Sequence, residues 1–533
     1  MNAGQAAEEW NARSAWREAV PALMAILVTA VLPRLLVLHV SVIDWDESIY
    51  ALIGQQWVEG NVPHSTVYDH KPIGLYAIFA VFILAFGDSI ATIRLIPIAF
   101  AAATSGLLAR LAYVTLGRDR WLAGLAAAIY GLLTLANGGL ATNTELLVNF
   151  FAVLSTCLLV SGRLDARVSP AGAAAAGASL GMAFQINFLA GFLMIGVAGF
   201  YLALLSARER LRQYVVRFFV NGLWMLAGFL AMGALLMLPV LLFGDLADFV
   251  ALRLAYLRDY EGIADGAIAL RRISEAVVAY GPFYTLALLL SLAAAWHRMP
   301  LAGVMDDRAS PRDARVTGWL VMCAAALAAA FASGRYYHHF FLFSVPALTM
   351  LAVAFVRLAL PAGRLAGFCG AWLVLMALIA ALASHDEFQR GIRAHKRVNR
   401  GEPPDHVAFT ARYMAQRLRP GETIYVFDGQ PILYFMTRTT PPTRFAFPES
   451  HLLAGTVARF GTTPARSVRD ILARRPRYVV ASPEHNPLYA ADAAVVLQER
   501  LGRYYSAASV IDPGAPPNLY VRTGEETPAR SIQ

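Results

Sequence analysis

Charge is scarce in this chain. Only 15% of its 533 residues are Asp, Glu, Lys or Arg, against 58% hydrophobic, and the mean hydropathy is +0.52. A water-soluble protein of this length needs far more polar surface, so the scarcity selects a polytopic membrane protein. The apolar runs are long and uniform as far as residue 385, which excludes an outer-membrane barrel built from short alternating segments. Cysteine is scarcer still. Cys157, Cys323 and Cys369 stand at unrelated positions inside apolar runs, so neither a disulfide framework nor a cysteine metal cluster is available. A small-residue cleavage site after a short apolar core is also missing, and the first span is expected to be an uncleaved anchor.

The charge that remains is sorted by connection. Arginines gather at 118 and 120, at 163 and 167, at 208, 210, 212 and 217, at 298, 308, 312 and 315, and at 357 and 364. The positive-inside rule makes these connections cytoplasmic, so the formal charge of +9 orients the protein and does not recruit nucleic acid. Acidic loops alternate with them: Asp44, Asp46, Glu47, Glu59 and Asp69; then Glu145; then Asp245, Asp248, Asp259, Glu261 and Asp265. These are expected outside.

The apolar runs predict about eleven spans, at 19–40, 94–116, 121–137, 146–162, 170–186, 188–206, 218–243, 276–296, 316–333, 341–357 and 365–384. The N-terminus is then inside and the last span ends outside. Segment 72–87 is read as a helix lying in the outer interface, because counting it as a span would invert every later loop. The fold class is therefore an all-α polytopic domain over 1–384, followed by a small outer α/β domain over 385–533. In the latter, Thr423–Phe427, Arg477–Ala481 and Leu519–Arg522 read as strands, with helices at 406–418 and 466–474.

The first outer loop carries the densest chemistry. It opens on Asp44-Trp45-Asp46-Glu47, followed by an apolar pattern at helical spacing (Ile49, Leu52, Ile53, Trp57), and it closes on Tyr68-Asp69-His70-Lys71-Pro72. Acidic residues at a helix start are ordinary caps. A Lys at a membrane surface suits a lipid phosphate, and a neighbouring carboxylate can deprotonate a hydroxyl or hold a divalent cation.

Asp46-Glu47-x-x-Tyr50-Ala51 with His70-Lys71-Pro72 and Tyr76 resembles the first outer loop of the GT-C membrane glycosyltransferases. Within that group it is similar to the protein mannosyltransferase and aminoarabinose lipid A transferase branch. Arg94-Leu-Ile-Pro97, Leu116-Gly-Arg118, Thr142-Asn-Thr-Glu145, Gly334-Arg-Tyr-Tyr-His-His-Phe340 with Pro346, and Tyr425-Val-Phe-Asp-Gly429 with Leu433-Tyr-Phe435 extend the likeness over most of the chain.

The resemblance implies an inverting enzyme of the bacterial inner membrane. It would move a sugar from a polyprenyl-phosphate donor to a glycolipid, polysaccharide or protein hydroxyl at the periplasmic face. Asp46 would then be the general base, and Glu47 its orienting partner or a metal ligand. Lys71 would bind the donor phosphate with help from Arg94. The aminoarabinose transferases carry a metal-binding Glu where this chain has His70. Imidazole also ligates metals, so a divalent ion is an optional cofactor.

Several other polar residues keep two readings. Arg34, ten residues before Asp44, either pairs with a carboxylate or lipid phosphate inside the bundle or snorkels. Glu145 is either a helix cap or an acceptor- or metal-side residue, and His338 and His339 are either site residues or part of an aromatic belt. Loop 244–275, with Arg253 and Arg258, is either a lid or a solvated loop. The rival function is a transporter or flippase. Such a protein needs charged, broken helices in two corresponding halves, whereas this chain concentrates charge in one loop. No Gly-rich phosphate cradle marks the cytoplasmic connections, which weighs against a nucleotide-sugar donor.

Overall fold

The computed structural model describes residues 17–160, 168–206, 211–258, 266–296, 311–359, 363–453, 457–458, 460–482 and 489–523. The basic residues Arg163, Arg167, Arg208, Arg210, Arg298 and Arg308, the acidic residues Asp259, Glu261 and Asp265, and the tail from 524 lie outside that set. A helix occupies each of the eleven apolar segments marked in the sequence. Among the described residues, seven helices are long and apolar enough to cross a membrane: Arg17–Leu35, Ile90–Thr115, Arg212–Phe243, Gly266–Ala294, Arg315–Ala332, His338–Ala359 and Arg364–Val398. Shorter helices cover Ile73–Phe86, Arg120–Leu133, Thr144–Leu159, Pro170–Phe184 and Ala190–Ser206.

The described residues cluster into two compact units. One draws on Met1–Val37, Arg94–Leu236 and Ile263–Gln389; the other on Leu38–Ile93, Met237–Gly262 and Arg390–Gln533. The first unit holds most of the apolar helices. His338–Ala359 is 94% buried over its apolar window, whereas Arg212–Phe243 is 11% buried and turns Phe219, Leu223 and Leu230 outward. A helix with exposed apolar side chains on that scale needs a lipid environment.

Between such helices the hydrophobic effect supplies little, so association depends on close backbone approach. Gly177 and Gly181 of Pro170–Phe184 meet Leu211–Phe243 in this way. A Cβ on Gly177 would lie 1.8 Å from the Met225 carbonyl oxygen, and one on Gly228 would lie 1.9 Å from that of Ala174. The first helix is anchored differently. Pro33 cannot donate to the preceding turn, and the chain widens into a π-helical turn over Ile26–Val31. Gly131 leaves room for Thr29 there, since a Cβ would sit 2.1 Å from its Oγ1.

The second unit contains the first loop. Its helix Asp46–Val58 packs on Ile73–Phe86, and a Cβ on Gly54 would come 2.6 Å from that of Phe79. Gln55 donates to the Phe435 carbonyl at 3.1 Å. This bond joins the loop helix to Ile432–Thr437 near the sheet. Strands β1 (Ile424–Val426), β2 (Tyr478–Val480), β3 (Tyr505–Ala507) and β4 (Leu519–Arg522) form a sheet in the order β1-β2-β4-β3. The β1–β2 pair is parallel, and the other two are antiparallel. Three of these strands were marked by β-branched and aromatic runs; β3, Tyr505-Ser-Ala, carries no such run and was missed. One sheet face packs on helices Pro464–Ala473 and Ala491–Tyr504 through Val468, Ile471, Val496 and Leu501.

Gly177→Val drives a branched side chain into the Met225 backbone, and overpacking costs about 1–3 kcal/mol. Thermal unfolding of the purified protein in detergent is expected to show a clear loss for Gly177→Val. Gly222→Ala, which meets nothing within 4 Å, is expected to show none.

Candidate active site

Two ends of one loop meet in the second unit. Asp46 is the first residue of Asp46–Val58, and its backbone N–H is capped by the Asp44 carboxylate at 3.1 Å. Glu47 is 1% exposed, and its Oε1 accepts from the Ile43 N–H at 2.8 Å and the Asp44 N–H at 3.4 Å. Glu47 therefore holds the turn on which Asp46 stands. Asp46 itself is half-buried, and its Oδ2 accepts from the Tyr50 hydroxyl at 3.1 Å. The helix N-terminus favours the ionised carboxylate at that position.

From Tyr50 the contacts continue to the other end of the loop. The Tyr50 and Tyr76 rings lie 6.4 Å apart. The Tyr76 hydroxyl donates to Asp69 Oδ2 at 2.7 Å and lies 3.3 Å from the Lys71 carbonyl oxygen. Asp69 also binds the His70 backbone N–H at 2.7 Å and faces His70 Nδ1 at 3.0 Å. Burial alone would raise the Asp69 carboxyl, but the His70 imidazole and the Tyr76 hydroxyl hold it well below its usual range. His70 is thus turned toward a carboxylate, with 34% of its side chain exposed.

Lys71 is half-buried, and its ammonium has no ion pair or hydrogen bond among the described residues. Its backbone is fixed all the same. Arg253, from helix Leu246–Arg258, donates to the Lys71 carbonyl at 2.7 Å and contacts His64 Nε2 at 3.2 Å. A guanidinium only donates, so His64 Nε2 is the acceptor and the imidazole is neutral. Burial first, and then the Arg253 charge, push the His64 pKa down to about 3. Arg253 also lies 3.7 Å above the Phe249 ring. Arg444 completes the clamp: it reaches Asp248 at 2.7 and 3.3 Å and the His64 carbonyl at 3.1 Å. The stretch 64–71 is thereby fastened to segment 246–253 and to the chain near Phe445, against which Tyr68 packs edge-on at 5.8 Å.

The remaining sequence candidates belong to the first unit. Arg34 is 1% exposed and donates to the carbonyls of Ala30, Thr134 and Gly139 at 2.9–3.0 Å. These are oxygens of its own helix and of the chain just past helix Arg120–Leu133, a fastening role that neither reading of the sequence included. Arg94 is likewise 1% exposed. Glu145 is buried in the first turn of Thr144–Leu159, where its Oε1 accepts from Thr144 and from Asn187 at 3.0 and 3.2 Å. Asn187 sits in the break at 185–189 between two apolar helices, so Glu145 anchors that break. His338 borders Gly138, whose φ of +78° and crowded Cβ position require glycine. His339 is buried and stacked on Tyr337 at 5.6 Å. Among the described residues no three His, Cys, Asp or Glu side chains form a metal-holding group. Glu47 Oε1 serves backbone N–H groups and His70 Nδ1 faces Asp69, so Glu47 and His70 are not arranged as a metal-holding pair.

The sequence missed His64 and Arg444, marked Asp69 only as a carboxylate in the run that closes the loop, and left Arg253 open. Only the left-handed backbone of His64, φ 72°, marks it locally, and that is a property of the fold. His64 takes a proton below about pH 6.5 when unfolded but only near pH 3 when folded. The unfolded chain therefore binds more protons in that window, and stability falls as pH drops through it. Asn tolerates positive φ. His64→Asn is expected to lessen the fall in melting temperature between pH 6.5 and 4.5, leaving the part due to other buried histidines such as His451, whose pKa is about 4.

Among solved structures, the chain is similar to ArnT from Cupriavidus metallidurans bound to undecaprenyl phosphate, at 14% identity over 81% of this chain and 85% of that one, with a TM-score of 0.46. The archaeal oligosaccharyltransferase AglB from Archaeoglobus fulgidus, in complex with an inhibitory peptide and a dolichol-phosphate, matches at 15% identity over 96% and 74%, with a TM-score of 0.45. The apo state of the same ArnT matches at 16% over 93% and 96%, with a TM-score of 0.40. Both neighbours are glycosyltransferases of the GT-C group. No protein-family profile and no curated protein sequence matches the chain. At these identities and scores the likeness carries no weight for the chemistry, which rests on this chain's own residues.

Proposed function

We propose that the protein is an inverting glycosyltransferase that takes its sugar from a polyprenyl-phosphate donor at the outer face of the bacterial inner membrane. In this reading about eleven helices cross the bilayer. The N-terminus is cytoplasmic, and the first loop and the C-terminal α/β part are periplasmic. The observation that carries the reading is the contact path Asp46–Tyr50–Tyr76–Lys71, which ties the half-buried Asp46 carboxylate to the backbone turn that carries Lys71.

The chemistry follows from those two groups. As the acceptor hydroxyl oxygen bonds to the anomeric carbon, Asp46 takes its proton. The bond from that carbon to the phosphate oxygen breaks, and the phosphate keeps the electron pair. It needs no proton if a cation neutralises it, which is the role of Lys71. Attack from the face opposite the phosphate inverts the anomeric centre. Glu47 keeps the Asp46 turn in place, and Arg253 does the same for Lys71.

Transfer by the purified protein from lipid-linked sugar donors tests this directly. Asp46→Asn is expected to lower the turnover rate by about 10²–10⁴-fold, the usual contribution of a positioned general base. A folded Asp46→Asn variant with full transfer would remove the base assignment. Donor uptake into proteoliposomes without any transfer would favour the transporter reading instead.

A further inference from the structure

The helix Arg364–Val398 changes character along its length. It is apolar through Ala381, and its last part, His385–Val398, is strongly charged. Arg390, Arg393 and Arg397 fall at i, i+3 and i+7 and so share one helix face. With Val40, Asp405 and His406 they line a pocket of about 200 Å³. All of these residues belong to the second unit.

Covalent distance places this pocket near the ends of two apolar helices. Val40 comes five residues after Leu35, the end of the first candidate span. Arg390 comes nine residues after Ala381, about 13 Å further along the helix at ~1.5 Å per residue. A headgroup layer is about 5–8 Å deep on each side of the hydrocarbon, and arginine side chains, which tilt toward the N-terminus of their helix, reach back toward it from there.

The charges around the pocket are poorly balanced. Arg393 has no hydrogen bond or ion pair among the described residues. Arg390 gives one bond to the Val42 carbonyl at 2.6 Å, and Arg397 pairs with Glu402 at 3.4 Å across exposed side chains. The one carboxylate in the lining, Asp405, is engaged by the Ser41 N–H, the Ser41 hydroxyl and the Ala408 N–H at 2.8–2.9 Å. Like charges three and four residues apart on a helix repel. A cluster of guanidinium groups on a pocket wall, with few acceptors in reach, fits the oxygens of a phosphate.

We propose that this pocket binds the headgroup phosphate of an anionic bilayer lipid, held by Arg390, Arg393 and Arg397. The site is built from residues other than Asp46 and Lys71, although Ser41 and Val42 join it to the start of their loop, and it does not depend on the transferase reading. Its occupant is a structural lipid of the membrane, not the polyprenyl donor.

The test is thermal unfolding of the full-length protein in detergent, titrated with phosphatidylglycerol, phosphatidylcholine or undecaprenyl phosphate. Phosphatidylglycerol is expected to raise the melting temperature and phosphatidylcholine is not. Each basic group near a headgroup layer contributes about a fivefold factor. Arg393→Gln should therefore need about fivefold more phosphatidylglycerol for the same shift, with Arg393→Lys recovering most of it. Lys71→Gln should respond to phosphatidylglycerol like the unsubstituted protein, which separates this site from the donor site. An equal response of Arg393→Gln to phosphatidylglycerol overturns the proposal, as does an equal effect of phosphatidylcholine. A loss confined to undecaprenyl phosphate also overturns it, because the pocket would then serve that lipid.

Discussion

The arrangement of the candidate site depends on one interaction, the grip of Arg253 on the turn that carries Lys71. A loop of this length between apolar segments has many conformations, and ordering each residue costs about 1–2 kcal/mol. Arg253 opposes that cost with a 2.7 Å bond to the Lys71 carbonyl, a contact to neutral His64 and a seat over Phe249. Hydrogen bonds from a charged donor contribute about 1.5–3 kcal/mol where they are partly buried. Arg444 adds a second hold through Asp248 and the His64 carbonyl. Two arginines thus fix the backbone around a lysine whose own charge is left for something else.

The same division of labour recurs at the other end of the loop. Glu47 and Asp46 are adjacent in sequence, yet the structure gives them different work. Glu47 is buried against backbone N–H groups, and Asp46 stands half-exposed at the helix start. A carboxylate whose Oε1 is occupied by two N–H groups is committed to holding the backbone turn. Asp46 keeps a hydroxyl partner that can move with it. The aromatic pair Tyr50 and Tyr76 connects this carboxylate to the lysine end without adding charge of its own.

Much of this was legible in the sequence wherever the signal is local. Apolar length marked the helices, β-branched runs marked three of four strands, and the acidic run marked the start of Asp46–Val58. Long-range pairing was not legible. Arg253 meets Lys71 across 182 residues, and Arg444 meets the His64 carbonyl across 380. No periodicity encodes such contacts, and an arginine between apolar segments reads the same whether it clamps a neighbour or faces water. Arg34 shows the converse. Its place in an apolar run left a charged or phosphate partner and snorkelling open, but it donates to the Ala30 carbonyl of its own helix and to those of Thr134 and Gly139 past the end of another.

The proposal that Lys71 holds the phosphate of a lipid-linked donor is tested by binding of undecaprenyl phosphate to the purified protein and to Lys71→Gln. Loss of one charge-assisted contact of about 1.5–3 kcal/mol predicts an affinity roughly 10- to 150-fold weaker in the variant. A folded Lys71→Gln protein that binds undecaprenyl phosphate as tightly as the unsubstituted chain would remove Lys71 from the donor site.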